Sequence, residues 1–148
     1  MTPLDAITIF FAPLRTNAYA YPTLEVVHII GIGLLLGNLV LLECRVWGAG
    51  KSIPVSDLAR LTLTLSLAGF SLAALSGSIM FATQSGDLLA NRAFVYKMGL
   101  LMLASCNAAW FHARGSLQKL DTVARLQTLA SSIIWIAVIF CGRWIAYL

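Results

Sequence analysis

Apolar residues run almost unbroken through four stretches, about 22–46, 61–82, 93–113 and 126–147, and polar groups gather in the short pieces between them. Each stretch exceeds the ~20 residues that carry a helix across the hydrocarbon core of a bilayer. The pattern predicts an all-α integral membrane four-helix bundle. Segment 1–21, with Pro3, Asp5, Pro13 and Arg15, precedes it. Its apolar piece 7–12 is expected as a short interfacial helix or a linker. The segment lacks the basic start and small-residue cleavage site of a cleaved signal peptide. The expected organisation is an N-terminal interfacial segment, 1–21, followed by a transmembrane domain, 22–148.

The polar residues inside the stretches follow a repeated plan. His28, Asn38, Glu43 and Arg45 recur, with the same spacing, as Lys97, Asn107, His112 and Arg114. Ala59-Arg60-Leu61, Ser66 and Gly77 recur as Ala124-Arg125-Leu126, Ser131 and Gly142. A duplicated hairpin would produce this, giving two parallel halves about an axis along the membrane normal.

At 100° per residue, Glu25, Gly31, Leu35, Asn38, Leu39 and Glu43 fall within about 80° of His28. Leu101, Ala104, Asn107, Ala108, Phe111 and His112 stand in the same relation to Lys97. Polar groups that face lipid only at a cost are thus collected on one side of spans one and three. Those two sides are expected to pack against each other, in parallel. Pro22 suits the first turn of span one and Asn91 the N-cap of span three. His28 and Lys97 each lie ~9 Å beyond those markers, and Glu43 and His112 form a second layer ~22 Å further on.

Charge changes the picture only by setting orientation. The net charge is +4 and the pI about 9.3. The cations are scattered over loops rather than clustered, which excludes a nucleic-acid partner in favour of membrane topology. Arg45, Lys51, Arg60, Arg114, Lys119 and Arg125 lie on one side, and Arg15, Arg92 and Arg143 on the other. The positive-inside rule then puts both termini outside, in the periplasm if the membrane is a bacterial inner membrane. Cys44, Cys106 and Cys141 show no CxxC or CxxCH spacing and read as small apolar fillers.

His28 is the leading functional candidate, because an ionisable side chain within a span is a functional residue by default. Glu25, one turn away, is placed to orient the imidazole. Lys97 reads either as a side chain snorkelling to the headgroups or as a cation held beside His28 for an anionic group. Arg143 reads as an interface anchor or as a partner for carboxylates such as haem propionates. His112 is expected to face headgroups or a salt-bridge partner rather than a ligand. Asn38 and Asn107 are expected to hydrogen-bond between helices, and Gly33 and Gly37 form a GxxxG packing signal. Trp47, Trp110, Trp144, Tyr19, Tyr21 and Tyr147 fit interfacial belts, whereas Trp135 is expected in the core. No nucleotide-binding glycine motif or catalytic serine elbow is present, so no motif assigns a reaction.

The stretches "EVVHIIGIGLLLGNLVLLECRVWG", "PVSDLARL", "AFVYKMGLLMLASCNAAWFH" and "GRWIAY" resemble a bacterial family of small four-helix membrane proteins, a domain of unknown function. The resemblance covers about residues 21–147, and the family's pattern falls on His28, Lys97, Asn107, His112, Gly142 and Arg143. More distantly the chain resembles the copper-resistance D membrane proteins and the HemJ-type protoporphyrinogen oxidases, which pair a histidine in an early span with a lysine in a later one. The second likeness implies a b-type haem. The chain lacks those proteins' further polar motifs, so porphyrinogen oxidation does not carry over.

Three readings follow. The first is a membrane cytochrome-like protein with haem b near the outer face, His28 as axial ligand and the one metal-binding residue, exchanging electrons with quinone or a periplasmic redox partner. In it Lys97 and Arg143 hold the propionates or a second ligand position, and Glu25, His112 and Asn107 complete the cofactor-binding candidates. The second is copper handling through His28, for which soft Met-rich or paired-Cys ligands are missing. The third is a non-redox accessory subunit of a membrane complex whose polar layers serve only packing; apart from the bilayer, the expected partners are further copies of the chain or a membrane complex.

Overall fold

The computed structural model describes residues 3–148. Among them are seven helices: α1 (Pro3–Thr16), α2 (Ala20–Val46), α3 (Val55–Ala82), α4 (Ser85–Ala90), α5 (Arg92–Ala113), α6 (Ser116–Lys119) and α7 (Thr122–Trp144). Helices α2, α3, α5 and α7 are each long and apolar enough to cross a membrane. Only narrow stripes of them are buried. Ile29 and Ile30 on α2, Leu67 and Leu75 on α3, Met102 on α5, and Ile136 and Phe140 on α7 are all more than half exposed. Water does not tolerate so large a continuous apolar surface, and lipid does. The chain is an integral membrane protein built as a four-helix bundle.

The helix ends follow local chemistry. Asn91 Oδ1 accepts from Phe94 N at 3.2 Å, capping α5 as the sequence predicts. Asp121 Oδ1 accepts from Ala124 N at 2.9 Å and caps α7. Pro22 lies in the first turn of α2, where its missing N–H costs nothing. Helix α3 begins at Val55, directly after Pro54, so Arg60 is helical rather than in a loop. Helix α1 extends well past the apolar piece 7–12, because Pro13 falls near its end, where the ring removes one hydrogen bond without stopping the chain. Asn17 Oδ1 then accepts from Tyr19 N (2.9 Å) and Ala20 N (3.0 Å), turning the chain into α2.

Helices α2 and α3 form one antiparallel hairpin, and α5 and α7 form the second. Helix α1 and the C-terminus lie at one end of the bundle (the terminal end), and segments 47–54 and 114–121 lie at the other (the loop end). The first hairpin is drawn tight by glycines. A Cβ on Gly31 would sit 2.7 Å from Ala73 N and 2.8 Å from Gly69 O, and one on Gly69 only 2.6 Å from Leu35 N. This is the small-residue crossing expected of membrane helices, at a different place from the one the GxxxG pattern indicates. A Cβ on Gly33 or Gly37 meets nothing within 4 Å. At the corresponding positions the second hairpin has Leu100 and Ile134, which pack in a cluster with Ala104 and Val138.

The halves meet along α2 and α7. Glu43 Oε2 accepts from Ser132 Oγ, and Trp47 Nε1 donates to Thr128 Oγ1 at 3.0 Å. Near the loop end Val46, Phe111 and Ala124 form a buried cluster with Leu117 and Leu120. Spans one and three, expected to pack directly, do not. Gly31 commits one flank of α2 to α3, and Glu43 commits another to α7. Helix α5 therefore faces α2 across open space. Helices α3 and α5 also stay apart through mid-membrane. The seam between them is closed at the terminal end by Phe81 stacked on Phe94 (5.5 Å between centroids), and at the loop end by α6 against α3.

Candidate functional site

The space between the hairpins forms two cavities, one above the other. The larger, about 530 Å³, lies toward the terminal end and has both His28 and Lys97 in its wall. The smaller, about 230 Å³, lies toward the loop end and includes Glu43 and His112. The two pairs predicted from the repeat thus each line one cavity, with no direct packing between spans one and three. Leu35, Phe70, Leu101 and Trp135 line both cavities and form the partition between them. Phe70 and Trp135 hold matching positions in the two hairpins. Trp135 therefore does more than fill the core.

His28 Nδ1 lies 2.8 Å from Ala73 O and 3.1 Å from Ser76 Oγ. The Ser76 hydroxyl donates to Leu72 O at 2.7 Å, so its oxygen is an acceptor toward the ring. Two acceptors around Nδ1 place the proton there and leave Nε2 with its lone pair. Gly77 makes room for the ring, since a Cβ there would stand 3.0 Å from His28 Cε1. Lys97 lies over Gly142 in the same way, with Nζ 3.5 Å from where a Cβ would be. Among the described residues the Lys97 amine has no hydrogen-bond or ion-pair partner. The repeat thus sets a histidine on glycine in one half and a lysine on glycine in the other.

At the loop-end cavity, Asn107 Nδ2 donates across helices to Gln127 O at 3.0 Å, as expected of structural glue. Asn38 does not do this. Its Nδ2 returns to Leu34 O of its own helix at 2.7 Å, the usual refuge of an amide without a polar neighbour across the interface. His112 is exposed and meets Phe111 edge to face at 5.6 Å. Gln127, not among the sequence candidates, is 3 % exposed. Its Oε1 accepts from Ser116 Oγ at 2.7 Å, and its Nε2 is buried without a partner. The signal for it was an amide at the edge of an apolar stretch.

Two other candidates stand apart. Glu25 is exposed and makes no hydrogen bond to His28, whose Nδ1 is already committed to α3. Arg143 is exposed, donates from Nη2 to Tyr147 Oη at 2.7 Å and lies over that ring. It is in the lining of neither cavity. Outside the spans, Arg114 pairs with Asp121 through both guanidinium nitrogens. The guanidinium, aided by the Ala124 N–H, holds the Asp121 carboxyl well below the usual carboxylate range. The same hydrogen bond pushes the Arg114 guanidinium up.

The chain matches no protein-family model, no curated protein and no solved structure. Among the described residues, no three His, Cys, Asp or Glu side chains converge as a metal cluster. The terminal-end cavity falls instead within the roughly 300–1,000 Å³ typical of small-molecule and cofactor sites. Its wall is mostly apolar and carries one imidazole with a fixed tautomer and one amine.

Proposed function

We propose that the chain is a small membrane cytochrome-like protein that holds a b-type haem in the terminal-end cavity. The observation that carries this is His28: Nδ1–H is spent on Ala73 O and Ser76 Oγ, which leaves Nε2 as a single, oriented donor at an apolar cavity. A hydrogen bond from the second ring nitrogen to a backbone carbonyl is how proteins orient ligating histidines. One protein ligand suffices for an iron already held by four porphyrin nitrogens, whereas bare copper wants several. Lys97 supplies the cation for a propionate, and Phe70 and Trp135 close the cavity floor. Bound there, haem supplies one-electron redox chemistry. The likeness of the His28 and Lys97 motifs to those of HemJ-type proteins supports the same reading.

The cation distribution supports an inner-membrane protein with the loop end in the cytoplasm and both termini in the periplasm. The haem then lies near the periplasmic face, within reach of a periplasmic redox partner or membrane quinone. Purified protein is expected to show a reduced-minus-oxidised haem spectrum. His28→Ala removes it, and His112→Ala leaves it in place. Wild-type protein without a haem band, and without bound copper by metal analysis, would overturn the reading and leave helix packing as the role of the polar layers.

A further inference from the structure

The two cavities between the hairpins carry opposite charge. The terminal-end cavity has the Lys97 amine in its wall, whereas the loop-end cavity has the Glu43 carboxylate. Glu43 stands in the last turn of α2, where the helix dipole is negative and gives a carboxylate no support. Its Oε2 accepts from Ser132 Oγ. Among the described residues the carboxylate has no ion-pair partner. Arg45, the cation nearest to it in sequence, donates from Nε to Ile53 O at 3.0 Å. His112 shares the cavity wall and makes no ion pair with it. An ionisable group within a span marks a functional site by default, and this one lacks a counter-charge. Around it the wall is largely apolar, with Leu39, Leu42 and Leu101 and the aromatic residues Phe70, Phe111 and Trp135.

We propose that the loop-end cavity binds a lipophilic organic monocation, an aromatic ammonium compound whose charge pairs with Glu43 and whose ring packs in the apolar part of the wall. Charge complementarity selects a cation, since the carboxylate repels anionic head groups and gives a neutral ring no advantage. The wall selects an organic one. An inorganic cation gives up its water only for several oxygen or nitrogen ligands, and among the described residues no three His, Cys, Asp or Glu side chains converge. An alkylated ammonium brings its own apolar surface and is attracted by aromatic rings as well as by the carboxylate. The size agrees: an engineered cavity of about 150 Å³ takes a benzene ring, so about 230 Å³ accommodates one ring with a small ammonium head. The way in is lateral. Helices α3 and α5 are apart at this depth, and Phe70, in the cavity wall, is 42 % exposed to what would be acyl chain. The site stands independently of haem, because Glu43 is not in the wall of the His28 cavity.

The test uses the full chain in phosphatidylcholine nanodiscs, dialysed to equilibrium against radiolabelled benzyltrimethylammonium, with empty nanodiscs subtracted. Saturable binding is expected in the wild type. Glu43→Gln removes the charge, keeps an oxygen to accept from Ser132 Oγ, and weakens binding by about tenfold or more. Ala108→Phe narrows the cavity from α5 with Glu43 intact, abolishes saturable binding, and decides the matter if the Glu43 variant fails to fold. Neopentylbenzene, the neutral molecule of the same shape, does not displace the cation at equal concentration. Binding equal in wild type and folded Glu43→Gln overturns the proposal, as does its absence in wild type or its survival in Ala108→Phe. Equal displacement by neopentylbenzene also overturns it, by showing that the cavity reads shape without charge. A haem band, present or absent, that is the same in wild type and Glu43→Gln separates this result from the fate of the haem reading.

Discussion

Replacing Gly31 by alanine tests at once how the first hairpin is held and how His28 is aimed. The new methyl would lie 2.7 Å from Ala73 N and 2.8 Å from Gly69 O, both backbone atoms of α3 that cannot rotate away. Relief to ordinary contact requires α2 and α3 to part by roughly 0.7 Å, and a gap of that size forfeits about a quarter to a half of each displaced dispersion contact. Overpacking of this kind typically costs about 1–3 kcal/mol. The gain from alanine over glycine in a helix is about 0.5–1 kcal/mol, so the variant is expected to be destabilised by a net amount of up to about 2.5 kcal/mol. Ala73 is also the residue whose carbonyl accepts from His28 Nδ1 at 2.8 Å. Parting the helices stretches that bond toward ~3.5 Å, beyond useful hydrogen-bond length. Reversible unfolding in mixed micelles measures the first effect, and, on the proposed haem reading, the width and position of the haem band measure the second. Gly33→Ala is the control, because its methyl enters open space and should be neutral or mildly stabilising. A Gly31→Ala protein as stable as Gly33→Ala, with an unaltered spectrum, would refute the glycine crossing as the hairpin's fastening.

The Asp121 carboxyl, held below the usual range by Arg114, contributes stability that is complete above the unfolded value of about 3.9 and is lost as pH falls through its lower folded value. Asp121→Ala should therefore flatten the acid limb of a stability-versus-pH profile while leaving its alkaline side parallel to wild type, and an unchanged acid limb would contradict the pairing. Single cysteines placed at Lys51 and Lys119 in a background without Cys44, Cys106 and Cys141 should be shielded from a membrane-impermeant maleimide added to intact cells. Labelling at both positions from outside would invert the topology.

The apolar runs sufficed for the four spans, because length and hydropathy are local properties of a chain in lipid. The repeat was also readable, and with it the grouping of His28 with Lys97 around one cavity and of Glu43 with His112 around another. Helix adjacency was not. Whether α2 leans on α3 or α5 turns on Gly31 meeting Gly69, a contact between residues far apart in sequence, whereas the more conspicuous Gly33 and Gly37 touch nothing. Glu25 illustrates the same limit: one helical turn places it near His28, but the ring's nitrogen found a carbonyl on the neighbouring helix. Gln127 shows another limit, since its burial with Nε2 unpartnered depends on how the helices pack, and spacing carries no record of that.

The seam between α3 and α5 changes what concentration means for this molecule. A ligand entering through it arrives by diffusion in the plane of the bilayer, so the governing variable is its mole fraction among lipids rather than its aqueous molarity. Acyl chains become standing competitors for the same opening. Extraction into excess detergent dilutes a lipophilic occupant in two ways, by lowering its mole fraction and by presenting new alkyl chains to the slot. Occupancy then follows the ratio of detergent to protein even when every aqueous concentration is held constant.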